Sequence, residues 1–537
     1  MQRFITSKPM KSTREYAVLI IFIFITSCMN GQDAKKTKGI IKEADALFEI
    51  DDFKNAEIKY LSVWKYDSLN SSMNLNLAIC KYKLKELPDS VLYYLKKADK
   101  SSNPEVQFYE GKLYHLTHQF KEAIAHYELY KKQPIDIREI NNLEIDRLIA
   151  ISKRADEMMK HPHKAYIKNI GNTINTKYDE YVPLVSTDEK LMYFTSRRPG
   201  GIGNKKDAWG KYYEDIYYTE VKDGAWQSPK NVGIPINSET HDACVAISAD
   251  LQQMIVYRTS PDGTSGDLYH TEATEKGWGP LLKFGTEINS EAREFSATFN
   301  LENNVIYFSS DRPGGFGGKD IYRVVKLPNN QWGLPWNLGP NVNTAYDEDA
   351  PFLSVNGKTL YFSSMGHETM GEYDVFKTSL IDENTFGKPE NLGCPINTVG
   401  NDIFFILSPD GAHGYYSSLN EHPKELGYES EDIYFIDMRY SETDLKVRKG
   451  IVLGLDEHGI AGVKVTLINS ETNKVEGVFN PSANTGKFVF VVNPFYNYKI
   501  IADAKGYESN IIELSPMIEN KMDEDEIDDL KIILKKK

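Results

Sequence analysis

A tripeptide reading Asp-Ile-Tyr, or a close variant of it, recurs in this 537-residue chain at Asp215, Asp267, Asp320, Asp374 and Asp432, spaced 52, 53, 54 and 58 residues apart. Such a period constrains the fold more than composition can, because each unit has to bury its apolar face against the next. Two further markers keep order with the tripeptide. One opens each unit: "YDEYVPLVSTDEKLMYFTS", "HDACVAISADLQQMIVYRT", "REFSATFNLENNVIYFSS", "DEDAPFLSVNGKTLYFSS" and "NDIFFILSPDGAHGYYSS". The other trails the first four tripeptides: "WQSPKNVGIPIN", "WGPLLKFGTEIN", "WGLPWNLGPNVN" and "FGKPENLGCPIN". Short β-rich runs divided by Gly, Pro, Asn and Asp read as strands. Several strands per unit at this period predict a β-propeller over residues 164–440.

The trailing marker is missing after Asp432 and stands at the front instead, as "YIKNIGNTIN" (166–175). That segment is expected to complete the last blade, closing a five-bladed ring and removing its two free edges. The glycine-rich "SSDRPGGFGGKDIYR" (309–323) is then a hairpin between the strands "VIYFSS" and "DIYRVV". Its glycines permit positive φ, and Asp320 is placed to accept from loop amides. A calcium loop needs a ladder of acidic ligands that this stretch lacks, and Arg312 and Lys319 add positive charge to it. The units resemble the WD-like propeller repeats of the TolB type, over roughly half the chain.

Residues 36–161 are helical by their three- and four-residue apolar spacing. Ala56 and Tyr60 are matched by Ala123 and Tyr127, 67 residues later in both cases. That is two periods of about 33–34 residues, so the segment resembles a tetratricopeptide array of three units, capped by "IREINNLEIDRLIAISKRADEMM". Residues 447–537 alternate strands with Gly turns, which predicts a small β-sandwich. The order of its strands, with "TGKFVF" and "YNYKIIADAKGY", resembles the non-catalytic carboxypeptidase regulatory-like domain. The acidic run "DEDEIDD" (523–529) reads as a solvated turn before a last strand, "LKIILKKK".

Residues 1–27 read as a signal peptide: Arg3, Lys8, Lys11 and Arg14 precede the apolar "AVLIIFIFI", which is too short to span a bilayer. It ends in "ITSC", which resembles a bacterial lipobox and implies lipidation of Cys28. Net charge is −14, and loss of the signal would deepen it, which argues against nucleic acid as a partner. Tyrosine, at 33 residues, outnumbers Phe (24) and Trp (6) together and leans the chain toward β-structure. Cys80, Cys244 and Cys394 form no CxxC pair and read as separate buried thiols, so neither a metal nor a cofactor is expected.

No nucleophile elbow, HExxH helix or phosphate loop occurs. Carboxylates recur at matching blade positions (Glu180, Asp242, Glu294, Glu348, Asp402), and such repetition favours structure over a catalytic pair, which needs unlike environments. His241, His270, His367 and His413 are scattered. The domain order resembles that of Bacteroidota outer-membrane lipoproteins, some of which serve the type IX secretion and gliding apparatus. The resemblance implies a non-catalytic scaffold, lipid-anchored at the periplasmic face of the outer membrane. Its envelope-protein partners would be met through the tetratricopeptide groove and the propeller face. Those relatives usually add an OmpA-like domain; this sequence runs only to Lys537, so peptidoglycan binding is not expected. The alternatives are a glycan- or peptide-binding lipoprotein and a propeller hydrolase or lyase.

Overall fold

The computed structural model describes residues 35–100, 103–207, 210–261, 263, 265–382, 384–409, 411–419, 430–438, 446–483, 485–492, 496–515 and 530–537. The signal segment, Cys28 and the acidic run 523–529 lie outside the described residues. The chain divides into two compact units, one holding the helices and the sheets up to Asp437, the other built mainly from Met438–Lys537.

In the first unit, described helices cover 35–49, Phe53–Trp64, Ser71–Lys83, Pro88–Leu95, Glu105–Leu116, Phe120–Lys131 and Asn142–Lys160. Asp52, Asn70 and Asn141 each cap a helix by accepting from the amide three residues on, which satisfies a donor that has no partner inside the helix. The repeated small and aromatic positions are core: Ala56, Tyr60 and Ala123 are fully buried and Tyr127 nearly so. Gly111 lies under Tyr127, where an added Cβ would come within 2.6 Å of the ring.

Five antiparallel sheets follow, each with its first strand innermost: Glu180–Val185, Asp242–Ile247, Glu294–Phe299, Glu348–Leu353 and Asp402–Leu407. These innermost strands contact one another in cyclic order, the last against the first, so the sheets close a five-bladed β-propeller. The outer strand of the fifth blade is Tyr166–Asn169, beside Glu431–Asp437. Every innermost strand carries a bulge, and in three the bulged residue has positive φ: Val182 (53°), Ala350 (51°) and Phe404 (59°). Bulge amides reach hydroxyls of a neighbouring blade: Val182 donates to Ser417 Oγ (3.1 Å), Cys244 to Thr195 Oγ1 (3.0 Å) and Ala350 to Ser296 Oγ (2.9 Å).

The helix Asn142–Lys160 docks on the fourth blade. Arg147 Nη1 donates to the Met365 carbonyl (2.9 Å) and Tyr346 Oη to Glu144 (3.1 Å), while the Arg147 guanidinium lies over the Tyr346 ring. Met370 and Val399 from the blade share a buried cluster with Phe120 and Ala155. The second unit is built from two sheets, Lys487–Val492, Lys446–Gly454, Leu530–Leu534 and Val475–Phe479, Lys464–Asn469, Tyr498–Asp503, Asn510–Leu514. Val452, Val465, Leu467, Phe490, Ile500 and Ile532 form its common core.

Candidate functional site

The five marker aspartates stand at the start of the third strand of a blade, Asp215, Asp320 and Asp374 as its first residue and Asp267 and Asp432 as its second. The strands Val305–Ser310 and Asp320–Val325 pair antiparallel, with Ser310 opposite Asp320, so the stretch between them is a hairpin loop. Asp320 accepts from the amides of Phe316 (2.6 Å) and Gly317 (3.1 Å) and from Asn337 Nδ2 (2.7 Å). Positive φ explains only one of this loop's glycines, Gly314 (92°). Gly317 is required for a different reason: a Cβ there would run into the carbonyl oxygens of Tyr346 and Thr344.

The trailing marker is the other half of this clasp. Asn231, Asn337, Asn391 and Asn169 donate to Asp215, Asp320, Asp374 and Asp432 at 2.7–2.8 Å. In the second blade Lys283 takes the asparagine's place and pairs with Asp267 (2.8 Å). The last marker residue, Asn237, Asn289, Asn343, Asn397 or Asn175, grips the same strand through both its side-chain atoms. Asn343, for example, accepts from the Ile321 amide (2.7 Å) and donates to the Ile321 carbonyl (3.0 Å). The marker motifs were legible, but what these asparagines bond to was not, because the bonds join residues that only the pairing of strands within a blade brings together.

The recurring carboxylates also serve structure. Glu180, Asp242, Glu294, Glu348 and Asp402 each accept from a Ser or Thr four residues earlier. Arg198, Arg258 and Arg312 ion-pair with the first three (3.1, 2.5 and 3.0 Å). In the fourth blade His367 occupies the arginine's place, its Nε2 bonded to the Val342 carbonyl (2.8 Å). With no arginine there, burial pushes Glu348 up to about 7, and burial likewise raises Asp374 to about 7.

These two raised groups set a pH dependence. The folded protein keeps protons that the unfolded chain has lost, so their stabilisation is complete below about pH 4 and disappears as pH rises through 7. Between pH 6.5 and 8 these two groups should together cost the propeller about 1.5 kcal/mol, or about 3–6 °C in Tm. Glu348→Gln, which mimics the protonated acid, should remove about half of that fall; a Tm profile unchanged by the substitution would refute the assignment.

The channel at the centre of the ring holds cavities of about 100 and 80 Å³. Its wall is mainly apolar, including Pro183, Ile247, Phe352 and Phe404. Glu189 is the one carboxylate in the lining of these two cavities, and it accepts from Tyr415 Oη (2.8 Å) and meets His413 Nδ1 (2.9 Å). Burial would by itself raise Glu214, in the first blade's longer loop. Arg197 (2.7 Å) and His241 (3.2 Å) outweigh it and hold Glu214 well below the usual carboxylate range. Cys80 and Cys244 are buried thiols pushed up to about 12 by burial. No His/Cys/Asp/Glu group suited to a metal ion occurs among the described residues.

No family model matches the chain, and no curated protein does. Solved structures similar to it include TolB from Acinetobacter baumannii, 14% identical with a TM-score of 0.32 over 56% of this chain and 71% of that one. An α-L-arabinofuranosidase from Lactobacillus brevis is 12% identical, with a TM-score of 0.32 over 49% of this chain and 92% of its own. A glycosyl hydrolase from Bacteroides ovatus is 12% identical, with a TM-score of 0.32 over 48% and 84%. At this level of likeness the assignment to the β-propeller class rests on the strand topology itself.

Proposed function

We propose that this chain is a non-catalytic scaffold of the cell envelope, anchored by lipid at Cys28 to the periplasmic face of the outer membrane and holding protein partners of the type IX secretion or gliding kind. The observation that carries this reading is the use made of the ring's carboxylates. The recurring ones are engaged in hydrogen bonds with a Ser or Thr four residues earlier, and the two cavities described in the channel have a single carboxylate, Glu189, in their lining. The helices are read as a tetratricopeptide array presenting a groove, and the second unit as a carboxypeptidase regulatory-like module. Crosslinking and pull-down from native membranes should recover envelope proteins in fixed ratio. Hydrolysis of an oligosaccharide by the purified chain, lost on substitution of Glu189, would overturn the reading.

Phe352 and Phe404 in the channel wall favour a second reading, a propeller that takes an apolar peptide side chain or a sugar face. Titration with oligosaccharides and peptides, repeated on Phe352→Ala, separates the two.

Lipidation has its own test. A single acyl chain holds a protein to a membrane only marginally, whereas several anchor it stably. Cys28→Ala should therefore leave the chain uncleaved or soluble; processed protein fractionating with membranes would exclude the anchor.

A further inference from the structure

Between the helix Asn142–Lys160 and the fourth blade lies a cavity of about 310 Å³. Arg147, Ile151 and Arg154 face it from the helix, at the three- and four-residue spacing that stacks side chains on one face. Lys388, Phe376, Pro389 and the carboxylate of Glu368 face it from the blade. The two arginines differ in what compensates them. Arg147 is held by Glu144 through Nε (3.0 Å) and Nη2 (3.1 Å). Arg154 has the Thr369 carbonyl (2.5 Å) as its acceptor, and among the described residues no carboxylate lies within ion-pairing distance of it. It is half-buried, and burial pulls its pKa down even though the carboxylates of Glu368, on the same cavity wall, and Asp374 act against that shift from beyond ion-pairing distance. Lys388 is 85% exposed and meets only Glu368, at 3.8 Å.

The blade loop here, "SSMGHETMGEYD", departs from its third-blade counterpart, "SSDRPGGFGGKD", at the residues that meet the helix. Met365 and Thr369 give it their carbonyl oxygens, and His367 lines the cavity. The departure therefore belongs to this seam.

We propose that the cavity binds a small organic oxyanion, a carboxylate or phosphate ester on an apolar body. Arg154 and Lys388 take the charged head, and Ile151, Phe376 and Pro389 pack the body. A planar guanidinium with unused N–H donors suits either head group, and the apolar wall distinguishes an organic anion from an inorganic one. The proposal is independent of the scaffold reading.

The test is calorimetric titration of the full chain with phenyl phosphate, benzoate and inorganic phosphate, at ionic strength matched with sodium chloride. One saturable equivalent is expected for phenyl phosphate or benzoate, tighter than for inorganic phosphate; which of the two binds tighter identifies the head group. Arg154→Gln can still donate to the Thr369 carbonyl and should weaken binding roughly tenfold or more. Lys153→Gln, exposed on the same helix, should leave it unchanged. If Arg154→Gln fails to fold, Lys388→Gln takes its place, with a smaller loss expected. No saturable binding at millimolar ligand, or equal affinity in the cavity variant and in Lys153→Gln, would overturn the proposal.

Discussion

A chain lacking residues 166–175 is expected to lose the cooperative melting of its propeller and to aggregate. Removing the segment takes away the outer strand of the fifth blade, the fully buried Ile174 and both grips of Asn175 on Ile433. Ile174 packs with Met192, Phe194, Tyr217, Tyr415 and Ile433, so it joins the fifth blade to the first. Ile174→Ala alone should cost about 2–5 kcal/mol as a core truncation. Asn175→Ala should add about 1–3 kcal/mol for each Ile433 backbone group left without its partner. Together these approach the whole stability of an ordinary domain, about 5–15 kcal/mol, and the deleted strand would also expose a free sheet edge. Calorimetry and light scattering check this; an unchanged, reversible melt of the deletion variant would show that the ring does not depend on this closure.

Asp320→Ala should lower stability by about 2–4 kcal/mol, because three donors lose their acceptor at once inside a site that is 1% exposed. The equivalent change in the second blade, Asp267→Ala, should cost about 1 kcal/mol or less. Its partner Lys283 is 53% exposed and can return to water. Calcium should not raise the Tm of either the native chain or Asp320→Ala, since the loop turns its carboxylate inward onto amides. A saturable calcium stabilisation that disappears in Asp320→Ala would show the loop to be a cation site. Equal costs in the two blades would show that the clasp does not act through burial.

The period of the Asp-Ile-Tyr marker determined the blades by itself, because each strand and turn is a local pattern and a repeated pattern has one economical way to bury its faces. The displaced "YIKNIGNTIN" identified the closing strand for the same reason: it is the missing piece of a repeat. What each marker residue does was not legible. The asparagines of the trailing marker bond to aspartates 16 or 17 residues before them, or in the last blade 263 residues away, and sequence spacing carries no distance across a sheet. Only the packed structure places Gly317 against the Tyr346 carbonyl, leaves Glu348 without the arginine that Glu180, Asp242 and Glu294 have, and sets Arg154 in a seam where no described carboxylate comes within ion-pairing distance. Protonation and binding depend on burial and on which charges converge, and those are properties of the closed ring and of the helix docked on it, not of the local chain.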